Sequence, residues 1–336
     1  QAPLGSNFAS AWKTCSALSS FPAGAKLGTE ATGSVSFSSA WQSSGLTSFS
    51  TPLPTATAVN LAWVNCTSLS SFSSELPLVT NVSQAWQTCT SLTSFNTELP
   101  SATSISYAWY NCASLSSFTT TDIKKGSNFF SAWHSCSALT SFPSDALLGT
   151  EATNVNFSQA WRDSGLTSFS TPLPSGDSFY ASWRDCTNLS SFSSEINGTN
   201  VRFTWYGCSS LTSFSTPLPL AQRLDLAWQN CTSLLDFSAD VFANWNPSAL
   251  STGIFNGTWD GCTALTAQSV ENILTSIDAS GKYGTSTGAS GGSALADAGI
   301  DIDYNVATGS LSAATNTAID SLKTKGWSIF INSVEQ

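Results

Sequence analysis

The chain has 336 residues, of which 41% are apolar and only 10% charged, with a net charge of −10. Its 11 Lys and Arg do not cluster beyond Lys124–Lys125, which argues against a nucleic-acid partner, because phosphate contact needs a basic face. No apolar run approaches the roughly 18 residues of a spanning helix, so no membrane span is expected.

Ser and Thr together supply roughly 30% of the chain, so hydroxyls rather than charges must cover its surface. Met is absent, so Gln1 is not read as a translation start, and processing upstream of it is expected.

Repetition dominates the chain from its first residues. Trp recurs at Trp12, Trp41, Trp63, Trp86, Trp109, Trp133, Trp161, Trp183, Trp205, Trp228 and Trp259. With Trp as position zero, an apolar residue stands at −4, a small residue at −1, Cys at +3 in nine of eleven units, Leu at +6 and Phe at +9 in most. Offsets −4, −1, 0 and +3 match one face of a helix, so a short helix or 3₁₀ turn is expected to carry each Trp. The Ser/Thr-rich stretch after it, such as the one from Leu92, reads as a short strand. A Pro-containing return follows at Thr51–Pro54, Thr171–Pro174 and Thr216–Pro219 and is expected to lie outside the sheet. No unit can bury a Trp, a Leu and a Phe alone, whereas stacked units can, each covering its neighbour.

A longer period is superimposed. The sequence from Gly5 returns at Gly126, that from Leu27 at Leu148, and that from Ser44 at Ser164. Two five-unit blocks, about 5–125 and 126–240, and a closing unit therefore make up a repeat domain over 1–265. In the second unit of each block Ser44 or Ser164 replaces Cys, and the unit is one residue short before its Leu.

Residues 266–336 read differently, as a C-terminal α/β cap. Val270, Ile273, Leu274 and Ile277 have helical spacing, with Thr266 or Ser269 as the cap. A Gly/Ser-rich loop follows over 280–293, then a second helix ended by Gly326 and a strand from Trp327 to Ile331. No equivalent cap is visible before the first unit. Its open end is expected to be covered by a lost domain, or to meet another copy of the chain or a surface or virion protein.

The phrase AW-x-x-C-x-S-L-x-S-F, repeated from residue 5 to about 265, resembles the BspA-like leucine-rich repeats of bacterial surface proteins. The ending, with its SVENIL helix and KGWSIFIN strand, looks like the terminal units of similar repeats in phage and marine bacterial structural proteins. Trp stands where that family usually has Met-Phe. The resemblance implies an α/β repeat solenoid, a leucine-rich-repeat-like right-handed array of about eleven units with short parallel strands and short helices.

Candidate chemistry is sparse. The nine Cys share one repeat position and read as a column of reduced core thiols, since parallel side chains do not point at one another. His134 occupies a variable surface slot. Glu75, Glu98 and Glu195 recur in the return segment and read as repeat positions rather than a catalytic set. Gly288–Gly292 matches a nucleophile pattern but has no strand leading into it. Asp301, Asp303 and Asn305 resemble the start of a calcium loop, but Val306 stands where Gly is needed and Ser312 where Glu is.

The surface that stands out is the outer strand face. Ser48, Ser71, Ser94, Ser117, Ser168, Ser191 and Ser213 precede the strand Phe, and Ser50, Ser73, Asn96, Thr119, Ser170, Ser193 and Ser215 follow it. Stacking would set them in two rows, roughly 7 Å apart along the strand and 4.8 Å between units. Such a face fits a glycan, a host receptor or lateral packing into a fibre. The expected function is therefore non-enzymatic adhesion, receptor binding or structural assembly, extracellular, at a cell surface or on a virion, with no cofactor. Ice binding through the hydroxyl rows is the alternative.

Overall fold

The structure is a computed structural model that describes residues 2–251, 253–284 and 299–336. The chain divides into two units, Gln1–Leu166 with Thr171–Pro174, and Thr167–Ser170 with Ser175–Gln336. Each unit is a parallel β-solenoid in which successive coils stack.

In the first unit the strands Ser48–Phe49, Ser71–Phe72, Ser94–Phe95 and Ser117–Phe118 form one parallel sheet. The register pairs Ser48 with Ser71, Ser71 with Ser94 and Ser94 with Ser117, so like residues stack. In the second unit Ser168–Phe169 pairs with Ser191–Phe192, and Ser213–Phe214 with Asp236–Phe237. The Pro-containing returns carry no strand.

A second parallel ladder lies just ahead of the Trp segment, and the sequence reading missed it. Val35–Ser36 pairs with Ala56–Ala58, Gly176–Ser178 pairs with Gly198–Asn200, and single bridges join Asn81 to Ser104 and Ser104 to Asn128. Asn81, Asn128 and Asn156 each accept a hydrogen bond at Oδ1 from the backbone N–H two residues on. These Asx turns lead the chain into the Trp segment.

The expected short helix at the Trp is not there. The segment is a run of turns in which positions −2 and +2 are left-handed, as at Leu61 (φ 60°) and Asn65 (φ 59°). Alternate amides bond in different directions. The N–H groups of Val59, Leu61, Trp63 and Asn65 donate to Asn81, Ser83, Ala85 and Gln87 of the next coil at 2.8–3.1 Å. Those of Ala62, Val64 and Cys66 donate three residues back within the coil, to Val59, Leu61 and Trp63. A helix would spend every amide internally. This backbone spends half of them on its neighbour and so joins the coils.

The core is aromatic. Within the first unit Trp41, Trp63, Trp86, Trp109 and Trp133 are fully buried and stack nearly parallel, with centroids 5.3–5.5 Å apart. Phe72 stands edge-on between Trp63 and Trp86 at 4.8 and 5.0 Å. Trp205 and Trp228 repeat the stack in the second unit at 5.3 Å. Each buried ring contributes roughly 1.5–3 kcal/mol by area. The first coil departs, leaving Phe8, Trp12 and Phe21 half-buried, and Phe142 is half-buried as well.

The one-residue deletion recurring in both blocks has a steric reason. It brings Gly45 against the coil before it, where a Cβ would lie 2.0 Å from the Ser16 carbonyl oxygen. At Gly165 the same atom would lie 2.2 Å from the Ser137 oxygen. No side chain fits at either place.

Beyond the last repeat, helix α1 (Ala267–Ala279) starts at Thr266, whose hydroxyl accepts from the Ser269 N–H. Ser269 accepts from the Phe237 N–H and donates to the Leu235 carbonyl, and Asn272 donates to the Phe237 carbonyl at 2.8 Å. The helix thus takes up the open edge of the strand Asp236–Phe237. Helix α2 (Ala313–Thr324) is followed by Gly326 at φ 84°. A parallel pair, Gly299–Ile302 with Ser328–Ile331, and the antiparallel Val334–Glu335 complete the chain.

Candidate functional site

The exposed hydroxyls fall into two classes. One class joins coils. Ser70 donates to Thr47 O at 3.0 Å, Thr93 to Ser70 O at 3.3 Å and Ser116 to Thr93 O at 3.3 Å. A buried column repeats this, Thr97 to Ser74 O at 3.1 Å and Thr120 to Thr97 O at 3.0 Å. A third runs from Thr80 to Thr57 O and from Thr103 to Thr80 O, both at 3.2 Å.

The second class is the candidate face. Ser48, Ser71, Ser94 and Ser117 form one exposed row in the first unit, and Ser50, Ser73, Asn96 and Thr119 another. In the second unit Ser168, Ser191 and Ser213, with Ser170, Ser193 and Ser215, are equally exposed, and Asp236 pairs beside Ser213. Among the described residues, none of these fourteen side chains makes a hydrogen bond within the protein. In each strand the two exposed residues flank a buried Phe.

At one margin of this face is a cleft of about 420 Å³, lined by Ser73, Asn96, Glu75, Glu98 and the flanking Leu76 and Pro77. Glu98 is held by the Thr121 N–H at 3.1 Å and the Asp122 N–H at 2.6 Å. Its carboxylate organises the neighbouring coil. Glu195 is exposed in the second unit.

The Cys column has a bonding role that sequence reasoning missed. Cys66, Cys89 and Cys112 donate their thiols to the carbonyls of Trp41, Trp63 and Trp86 in the preceding coil, at 3.0–3.1 Å. Cys208, Cys231 and Cys262 do the same toward Trp183, Trp205 and Trp228. None of the nine Cys forms a disulfide, and only Cys15 is exposed. Burial pushes the Cys136 thiol up to about 12, and raises that of Cys89 well above the ordinary range.

The other candidates are dispersed. Asp303 accepts from the Gly261 N–H at 2.8 Å, and Asn305 accepts from the Ala307 N–H as the cap of a short 3₁₀ turn. Asp301 lies on the strand Gly299–Ile302, its carboxyl raised by burial and then by the Asp303 charge. Among the described residues no group of three or more His, Cys, Asp or Glu is placed to hold a metal ion. His134 Nε2 lies 3.2 Å from Asp163 Oδ2. Gly288–Gly292 lies outside the described residues. Among the described residues no helix is long and apolar enough to cross a membrane.

No family model and no curated protein matches the chain. Among solved structures, a leucine-rich repeat protein from Bacteroides ovatus ATCC 8483 is similar to 76% of this chain and 67% of its own, at TM-score 0.40 and 15% identity.

Proposed function

We propose that this chain is a non-enzymatic surface protein that works by adhesion, receptor binding or structural assembly through its Ser/Thr face. The observation that carries this reading is the division of labour among hydroxyls. Three columns are consumed in joining coils, while two rows of Ser, Asn and Thr are left with every donor and acceptor open to a ligand. Repeated weak contacts along such rows add up by avidity.

The reading includes an eleven-unit, right-handed array of BspA-like kind over 1–265, with 266–336 as its cap. It places the protein outside the cell, on a cell surface or a virion. The half-buried Trp12 and Phe21 of the first coil support a contact there with another copy or with a surface protein.

The test is to replace Ser71 and Ser94 together with Arg. Both are exposed and unbonded, so the melting transition is expected to hold within a few degrees. Cell-surface adhesion, or assembly seen by electron microscopy, is expected to fall about tenfold or more. A folded variant with both properties unchanged removes the hydroxyl face from the function.

A further inference from the structure

A different surface carries a ligand site of another kind. Most aromatic rings here are core rungs, but six rings lie on the outside of the Trp segments as half-buried residues. They form two clusters, one in each unit. In the first, Tyr107 meets Phe130 edge-on at 5.2 Å, and Tyr110 meets His134 at 5.0 Å. In the second, Phe203 meets Tyr180 edge-on at 5.6 Å, and the Arg184 guanidinium lies 4.7 Å from the Tyr206 ring centre.

The two clusters share one plan. One coil supplies aromatic residues at −2 and +1, and its neighbour supplies an aromatic at −3 and His or Arg at +1. The coil order is reversed between them, so block duplication did not copy one from the other. The coils that duplication relates to those of Trp183 and Trp205 hold Asn60, Val64, Gln84 and Gln87 in these slots. The −2 position is also left-handed, with Tyr107 at φ 57° and Phe203 at φ 55°. A bulky side chain there carries a steric cost, and the other coils use Ser, Gln, Ala, Gly or Leu but no ring. Neither core packing nor repeat geometry asks for these rings.

The charged groups are matched. Arg162 lies against Asp163, Arg184 against Asp185 and Arg202 against Asp225, at 3.3, 3.1 and 2.5 Å. The first cluster presents ring edges and faces as an apolar patch, while in the second Arg184 lies over Phe203 and Tyr206 and Arg202 over Phe203, so guanidinium and ring planes build the patch together. Both add Tyr hydroxyls and ion-paired groups for hydrogen bonding, with little net charge. The surroundings are hydroxyl-rich, and among the described residues none of the exposed large aliphatic side chains lies in these Trp segments, so the wide dry patch of a protein partner is not formed there.

The geometry points to a neutral glycan as the ligand of the Tyr107/Tyr110 and Phe203/Tyr206 clusters, its sugar rings lying on the aromatic faces and its hydroxyls bonding at their rims. This site does not depend on the Ser/Thr face.

The experiment is binding of the full chain to a printed array of neutral and acidic glycans. It is repeated with Tyr107→Gln/Tyr110→Gln and with Phe203→Gln/Tyr206→Gln. Gln84 and Gln159 occupy the −2 slot of other coils, and Gln42 and Gln87 the +1 slot, so the fold accepts Gln at both. If either pair fails to fold, Tyr110→Phe with Tyr206→Phe keeps the rings and removes the hydroxyls. The wild type is expected to bind a subset of neutral glycans, and each folded variant to lose about tenfold or more in affinity. Three results overturn the site: no neutral glycan bound, acidic glycans preferred, or binding indifferent to the cluster substitutions. Binding lost with Ser71→Arg/Ser94→Arg but kept in the cluster variants overturns it too, while leaving the proposed function standing.

Discussion

The Cys89 thiol donates to the Trp63 carbonyl of the preceding coil at 3.1 Å, and the same carbonyl also accepts the Cys66 backbone N–H at 3.0 Å. The column of Cys thus serves the second lone pair of each buried Trp carbonyl. Cys89→Ser keeps a donor there, and Ser44 already occupies the equivalent position of another coil. Cys89→Ala removes it. The expected cost is about 1–3 kcal/mol for Ala and about 1 kcal/mol or less for Ser, read from the denaturant midpoint. Equal losses in the two variants would show that volume, not bonding, sets the position.

Burial makes eight of the nine thiols poor nucleophiles, with the pKa raised at Cys66, Cys89, Cys112, Cys136, Cys208, Cys231 and Cys262, while Cys15 is exposed. An aromatic disulfide reagent is expected to titrate one thiol per folded chain, and nine after denaturation. Prompt reaction of more than one thiol in the native protein would mean that the coils open.

Gly45 is where the backbones of two coils come closest. A Cβ there would stand 2.0 Å from the Ser16 oxygen, so Gly45→Ala must push the first coil away. A loss of about 2–4 kcal/mol is expected, as for other overpacked or strained sites. Gly24 has open space around it, and Gly24→Ala is the control. Differential scanning calorimetry on both separates the effects.

His134 gives a pH dependence of definite sign. Burial, and then the Arg162 charge, lower its pKa below the ordinary 6.5, and Asp163 offsets this only in part. On acidification the unfolded chain therefore takes up the proton first. Stability from this group is complete above pH 6.5 and is lost as pH falls toward the folded value. His134→Gln is expected to flatten the difference in melting temperature between about pH 7.5 and pH 5.5. An unchanged slope would mean that the imidazole is not the responsible group.

The columns of the core and the outward Ser rows were legible in the sequence because a stacked repeat converts each conserved offset into a line of identical contacts. The helix reading failed for a definite reason. Left-handed residues at −2 and +2 give a four-residue period, and this brings −4, −1, 0 and +3 to one side just as a helix does. The discriminating signal was at +2, where Asn65, Asn111, Asp163, Gly207 and Gly261 tolerate positive φ. The second ladder was hidden because its Asn, Ser, Ala and Arg positions share no hydrophobic pattern. The outer aromatic clusters were overlooked for a related reason: a slot that varies from coil to coil reads as mere surface when slots are scored singly.

The hydroxyl staples between coils are electrically neutral, and six ion pairs are found among the described residues. Dissolved salt acts on charges over a distance of about 10 Å at 0.1 M, and it has little to act upon in the staples themselves. Melting temperatures should stay nearly level from dilute buffer to half-molar sodium chloride. A scaffold held by dipoles in this way would keep its shape in fresh water and brine alike.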